Sequence, residues 1–160
     1  AAELSEFYDS WWKDVSRHHK KSSRLHVGAE LDNPIILSSH DWMPPMTESV
    51  PPWNQPHVSR RPVANGTWYV QVVRGGRYAI TLRERPAVAA FPLEANEAQL
   101  QIGVREKLSQ AVDGDATGVR FELDLPAGET SMKTWLIEPD GKTRGAYYVD
   151  VEYLSAGGDQ

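Results

Sequence analysis

Cysteine is absent from this chain of 160 residues. That removes thiol nucleophiles, thiolate metal sites and disulfides together, so stability has to come from an ordinary apolar core. No apolar run approaches the roughly 20 residues needed to cross a bilayer, and no membrane partner is expected. The opening Ala1-Ala2-Glu3-Leu4 has neither the cationic region nor the apolar core of a signal peptide and is not read as one. Positive charge is scarce: 17 basic residues face 22 acidic ones, for a formal charge of −5, and the basic residues are scattered. Nucleic-acid binding needs a concentrated cationic face, so no nucleic-acid partner is expected.

Catalytic signatures are missing as well. The chain has no Gly-rich phosphate loop, no His-Glu-x-x-His and no Gly-x-Ser-x-Gly. His18-His19 sits at a polar helix end, where adjacent positions do not share a face. His26 falls on an expected strand and reads as a surface or boundary residue. Asp113-Gly114-Asp115 lacks the further oxygen ligands a calcium loop requires, and reads as a turn. Asn65-Gly66-Thr67 matches a glycosylation sequon and is equally a turn signal. No metal and no cofactor is expected.

What the chain does have is patterning. Leu4, Phe7, Tyr8, Trp11, Trp12 and Val15 recur at helical spacing, with Glu3, Glu6 and Asp9 early and Arg17 to Lys21 late. This predicts one amphipathic helix whose charge order suits its dipole. Its four aromatics, Phe7, Tyr8, Trp11 and Trp12, must bury against the rest of this chain or against a partner. From Arg24 onward the period becomes two. Arg24–Val27, Pro34–Leu37, Thr67–Val73, Arg77–Arg83, Ala98–Val104, Val119–Leu125, Ser131–Ile137 and Ala146–Tyr153 are expected strands. Gly75-Gly76 is expected to join two of them as a hairpin, with Tyr78, Ile80 and Leu82 on one face. Short strands separated by turns every ten or so residues predict an all-β fold, an antiparallel β-sandwich of jelly-roll type preceded by the helix. The expected division is a helix over residues 1–21 and a sandwich over residues 22–160.

The stretch from His40 to His57 stands apart. His40, Asp41, Trp42, Trp53, Asn54, Gln55 and His57 lie among Pro44, Pro45, Pro51, Pro52 and Pro56. Those prolines forbid a regular helix or a central strand. Aromatic rings beside amides, a carboxylate and imidazoles form the mixture that sugars require, since sugars stack their C–H faces and pair their hydroxyls. The same residues also suit a loop plugged onto the core, with the amides satisfying backbone groups. Both readings are open at this point.

A family resemblance adds a context. Phe7-Tyr8-Asp9-Ser10-Trp11-Trp12, Arg24-Leu25-His26-Val27-Gly28, Asn33-Pro34-Ile35-Ile36-Leu37, His40-Asp41-Trp42 and Trp53-Asn54-Gln55 resemble the C-terminal region of bacterial arylsulfatases. Asn65–Val70, Gly76-Arg77-Tyr78 and Leu82–Pro86 are similar to the same region, and the last third is similar more loosely. The resemblance implies an accessory domain that supports stability and glycan selection. It implies that residues 1–21 pack on a preceding catalytic sulfatase domain, in a periplasmic or secreted sulfuric-ester hydrolase. The chain departs from that family where catalysis would lie. The family makes its formylglycine nucleophile within Cys/Ser-x-Pro-x-Arg, and that motif does not occur here. So this chain is not expected to be an enzyme by itself. The other expectations are an independent carbohydrate-binding module and a purely structural or oligomerisation domain.

Overall fold

A computed structural model describes residues 2–17, 23–43, 46 and 50–157. His18, His19, Lys20, Lys21, Pro44 and Pro45, all singled out in the sequence, lie outside these residues. Helix α1 spans Ala2–Ser16, and helix α2 spans Gln55–Ser59. The strands are β1 (Leu25–Val27), β2 (Ile35–Ser38), β3 (Trp68–Val72), β4 (Gly76–Arg83), β5 (Glu97–Ile102), β6 (Leu108–Ala111), β7 (Val119–Leu125), β8 (Gly128–Ile137), β9 (Thr143–Arg144) and β10 (Tyr148–Ser155).

The strands make two sheets packed face to face. The larger runs β1-β3-β8-β5-β6, with β9 also on β8; the smaller runs β2-β10-β4-β7. All pairings are antiparallel except β1 with β3, which is parallel. The expected β-sandwich with one N-terminal helix is the observed fold. Alternation explains the core: Trp68, Val70 and Val72 of β3, Leu100 of β5 and Met132 and Leu136 of β8 point inward from one sheet. Tyr78, Ile80 and Leu82 of β4, Phe121 of β7 and Val149 and Val151 of β10 meet them from the other.

One expectation is corrected. β3 and β4 do not form a hairpin; β3 pairs with β1 and β8, and β4 pairs with β10 and β7. Both strands are apolar on one face, and those faces bury more area across the sandwich than side by side in one sheet. The chain between them crosses from sheet to sheet, held by Val73 N–H donating to Val27 O (2.9 Å) and Arg74 Nε donating to Gly28 O (2.7 Å). Gly76 takes a φ of 155° at this crossing, backbone that L side chains rarely adopt.

Helix α1 forms as its pattern predicts, yet every residue from Glu3 to Val15 is exposed. Its stripe is not buried on the sandwich. Removing residues 1–22 is therefore expected to leave the sandwich's thermal midpoint within about 2 °C, the shift of well under 1 kcal/mol. Calorimetry of the truncated chain checks this; a fall of 5 °C or more would mean that α1 packs on its own sandwich. Among the described residues no helix is long and apolar enough to cross a membrane.

Candidate functional site

The structure divides the His40–His57 stretch. Trp42 is a core residue, 5% exposed, set edge-on to Trp68 (5.6 Å between centroids) and Tyr147 (6.3 Å). Its indole fits because two glycine backbones lie against it. A Cβ on Gly66 would stand 2.6 Å from Trp42 Cγ, and one on Gly145 would stand 2.8 Å from Cζ2. Trp42 therefore has no ring face to offer a ligand.

Asp41 and Asn54 are occupied locally. Asp41 Oδ2 accepts from Ser38 N–H (2.9 Å) and Ser38 Oγ (3.1 Å), closing the short turn Ser39–Asp41. Asn54 caps α2, its Oδ1 accepting from His57 N–H at 2.8 Å. Ser39 Oγ donates to Pro52 O (2.6 Å) and fastens the loop to the sandwich. That leaves His40 and Gln55 exposed, His57 half-buried and Trp53 60% exposed. The helix-face candidates Phe7, Tyr8, Trp11 and Trp12 are all exposed, and Tyr8, Trp11 and Trp12 contact one another, with Tyr8 stacked on Trp12 at 6.5 Å. No group of three or more metal-ligating side chains occurs among the described residues.

The contrast that matters is between the outer faces of the two sheets. On the smaller sheet the outward positions include Ile36, Thr81 and Tyr148, and the charged ones are paired with each other. Arg120 pairs with Glu122 (3.1 Å) and Glu152 (3.2 Å), Arg83 with Asp150 (2.6 Å), and Arg77 with Asp124 (3.4 Å). Such a face is internally satisfied and keeps little for a ligand.

The larger sheet is built differently. Opposed residues of an antiparallel pair point to the same face. Gln99 of β5 lies opposite both Trp135 of β8 and Ser109 of β6. Gln101 lies opposite Lys133, and Tyr69 of β3 lies opposite Ser131. Tyr69, Gln71, Gln99, Gln101, Ser131, Lys133 and Trp135 are all half-buried, outward-facing and neutral except for the lysine. Arg24 extends from the strand edge, its guanidinium 5.7 Å from the Tyr69 ring centroid, and pairs with Glu129 at 2.8 Å. Lys107, which precedes β6, places its Nζ 3.9 Å from the Trp135 centroid, and Lys133 Nζ is 5.6 Å away.

Two acids share this face: Glu129 lies opposite Gln71, and Glu97 accepts from Gln99 at 2.7 Å. Hydrogen bonds from Ser109 and then Gln99 hold its carboxyl below the usual carboxylate range. It thus stays ionised through mildly acidic pH with its oxygen already engaged. Chemically the face can stack and hydrogen-bond; it has no paired nucleophile and base.

A second polar cluster lies inside the fold. Glu84 and Arg144 are both 1% exposed and bonded at 2.8 Å. Arg144 also reaches Glu138 (2.8 Å) and Leu93 O (2.9 Å), while Arg61 Nε bonds Glu84 at 2.8 Å. Burial pushes the neighbouring Tyr147 hydroxyl well above its ordinary range, so it remains a neutral donor to Pro62 O at 2.7 Å. These carboxylates are matched by guanidinium groups and tie distant segments together, which is the chemistry of a structural lock.

Tyr69, Gln99, Gln101, Lys107, Lys133 and Trp135 were not singled out by the sequence reading. Their parity was readable, because each strand residue among them alternates with a core residue. Their neighbourhood was not, because nothing local places β5 beside β8.

No protein-family model matches the chain, and no curated protein matches it. Among solved structures, the chain is similar to a family 35 carbohydrate-binding module from Clostridium thermocellum, with 15% identity over 76% of this chain and 98% of that one and a TM-score of 0.47. It is also similar to a carbohydrate-binding module of lichenase 5A from Cellvibrio mixtus in complex with cellotriose, with 9% identity over 77% and 99% and a TM-score of 0.41. A Podospora anserina β-(1,4)-mannanase gives 8% identity over 79% of this chain and 29% of that one, with a TM-score of 0.48. A ruminal endo-β-1,4-mannanase gives 15% identity and a TM-score of 0.47, and the chain spans 26% of its length. None of these structures is a sulfatase, and the resemblance to arylsulfatases gains no support from them.

Proposed function

We propose that this chain is a non-catalytic carbohydrate-binding β-sandwich module that holds a glycan along the outer face of its larger sheet. One observation carries the reading: that face presents Tyr69 and Trp135 among Gln71, Gln99, Gln101 and Ser131, whereas the opposite face carries a network of paired charges beside Ile36, Thr81 and Tyr148. Aromatic rings supply stacking for apolar C–H surfaces, and side-chain amides both donate and accept, matching sugar hydroxyls. Trp135 lies four positions along β8 from Ser131, the partner of Tyr69. At about 3.4 Å per residue the two backbone positions are roughly 14 Å apart, the scale of an oligosaccharide rather than a single sugar. The exposed Trp53 is then peripheral. The module serves a glycan-active enzyme outside the cytoplasm, where polysaccharides are met.

Affinity electrophoresis of the full chain in gels containing soluble polysaccharides tests this. Trp135→Ala is expected to weaken retention about 30-fold or more, the loss typical of a central tryptophan anchor. Trp53→Ala is expected to retain binding. The opposite order, with Trp53 essential and Trp135 dispensable, would move the site to the loop at 50–57.

A second reading keeps the sandwich as an accessory domain of a larger hydrolase with α1 packed on the catalytic domain. One observation favours it: Leu4, Phe7, Tyr8, Trp11, Trp12 and Val15 form an uncovered apolar stripe, and exposed patches of this kind mark contact surfaces.

A further inference from the structure

Building on the glycan-binding reading of the larger sheet, we propose that this face selects an anionic sugar, whose carboxylate or sulfate ester is held by Lys107 and Lys133 while its ring stacks at Trp135. Among the described residues most arginines are committed to carboxylates. Arg24, Arg61, Arg77, Arg83, Arg120, Arg144 and Lys142 each have a carboxylate partner. Lys107 and Lys133 have none within ion-pairing distance among the described residues, and both direct their ammonium groups at one indole. In a protein of net charge −5, two lysines without an ion-pair partner thus meet over a single tryptophan.

The geometry explains how they come together. Lys133 lies opposite Gln101 on β8, and the pairing of Leu100 with Leu108 brings Lys107 beside Gln101 from the other side. The lysines therefore flank one amide in a row adjoining Trp135 and Gln99. Of the acids on this face, Glu129 pairs with Arg24, and Glu97 accepts from Ser109 and Gln99 without contacting either lysine within ion-pairing distance.

A neutral sugar stacking on Trp135 would displace Lys107 from the ring and offer its ammonium only neutral hydroxyl acceptors in place of the cation–π contact. An anionic sugar replaces that contact with a charge-assisted hydrogen bond, and the ring stays available for stacking. Exposed charges are screened by salt, so binding should weaken as ionic strength rises.

The test measures affinity of the full chain for polygalacturonate, carrageenan and a neutral galactan, with polyglutamate as a polyanion lacking sugar. The expected result is binding of an anionic glycan at least about tenfold tighter than galactan. In Lys107→Gln/Lys133→Gln that preference should collapse to near parity, with folding confirmed by an unchanged melting curve. The carboxylate and sulfate arms, polygalacturonate and carrageenan, identify which anion is preferred. Galactan bound as tightly as the anionic glycans, with the lysine variant unaltered, would overturn the anion selection and leave the glycan reading standing. No glycan bound would overturn both. Polyglutamate bound as tightly as polygalacturonate and independently of Trp135 would reduce the face to a polyanion patch, which also overturns the proposal.

Discussion

Replacing Arg144 with alanine is expected to destabilise the protein by about 3–5 kcal/mol, enough to unfold a domain of ordinary stability under mild denaturant. The side chain is 1% exposed and makes three bonds: to Glu84 and Glu138, each at 2.8 Å, and to Leu93 O at 2.9 Å. These partners come from the end of β4, the segment before β5 and the segment after β8, so one guanidinium fastens three stretches. Its removal leaves Glu84 buried with only part of its counter-charge, and an unpaired buried charge costs far more than a lost surface bridge. Arg144→Lys should rescue little, because an ammonium cannot reach two carboxylates and a carbonyl in the same fork geometry. Urea unfolding measures both variants, and a loss below 1 kcal/mol for Arg144→Ala would contradict the account of the cluster as a lock.

Trp68→Ala is expected to cost a similar 3–5 kcal/mol, through lost burial and the cavity left behind. Trp68 is fully buried, meets Trp42 edge-on at 5.6 Å and donates from Nε1 to Ser38 O at 2.7 Å. That hydrogen bond runs from β3 in the larger sheet to the end of β2 in the smaller, so the residue holds the two layers in register. Trp68→Phe keeps one aromatic ring but loses the donor and part of the indole's volume, for an intermediate cost of about 1–3 kcal/mol. Trp53, 60% exposed in the same protein, should tolerate alanine within about 0.5 kcal/mol. Equal losses at the two tryptophans would mean that the loop at 50–57 is packed more tightly than its exposure indicates.

How far the sequence carries can be seen residue by residue. Alternation places Val119 and Phe121 inward and Arg120, Glu122 and Asp124 outward, as observed. Alternation assigns a face but not a sheet. Gly75-Gly76 serves equally for a hairpin turn and for a crossing between layers, and only burial across the sandwich selects the second. Strand β6 has all four residues exposed, so it carries no apolar rhythm by which the sequence could mark it. The pairing of β1 with β3 joins segments far apart in sequence, which no local signal encodes.

The same limit governs the site. Trp42 and Trp53 look alike in sequence, each in a polar, proline-rich setting. They differ because Gly66 and Gly145, distant in the chain, clear a slot for Trp42 and none for Trp53. Asp41 and Asn54 carry the chemistry of sugar ligands and spend it on caps. Trp135 and its lysines gave an outward parity, but only the β5–β8 and β5–β6 registers bring Gln99, Gln101 and Lys107 to them. Position on a sheet face, rather than residue type, distinguishes the groups left free for a ligand.

The central claim is that glycan is held on the outer face of the larger sheet, and amide and indole chemical-shift mapping during titration of the isotope-labelled chain with oligosaccharide tests it most directly. Shifts should concentrate on the Trp135 indole and on the amides of Tyr69, Gln99, Gln101, Ser131 and Lys133, with the smaller sheet unmoved. Shifts confined to residues 50–57, or none at saturating oligosaccharide from both neutral and acidic polysaccharides, would contradict it.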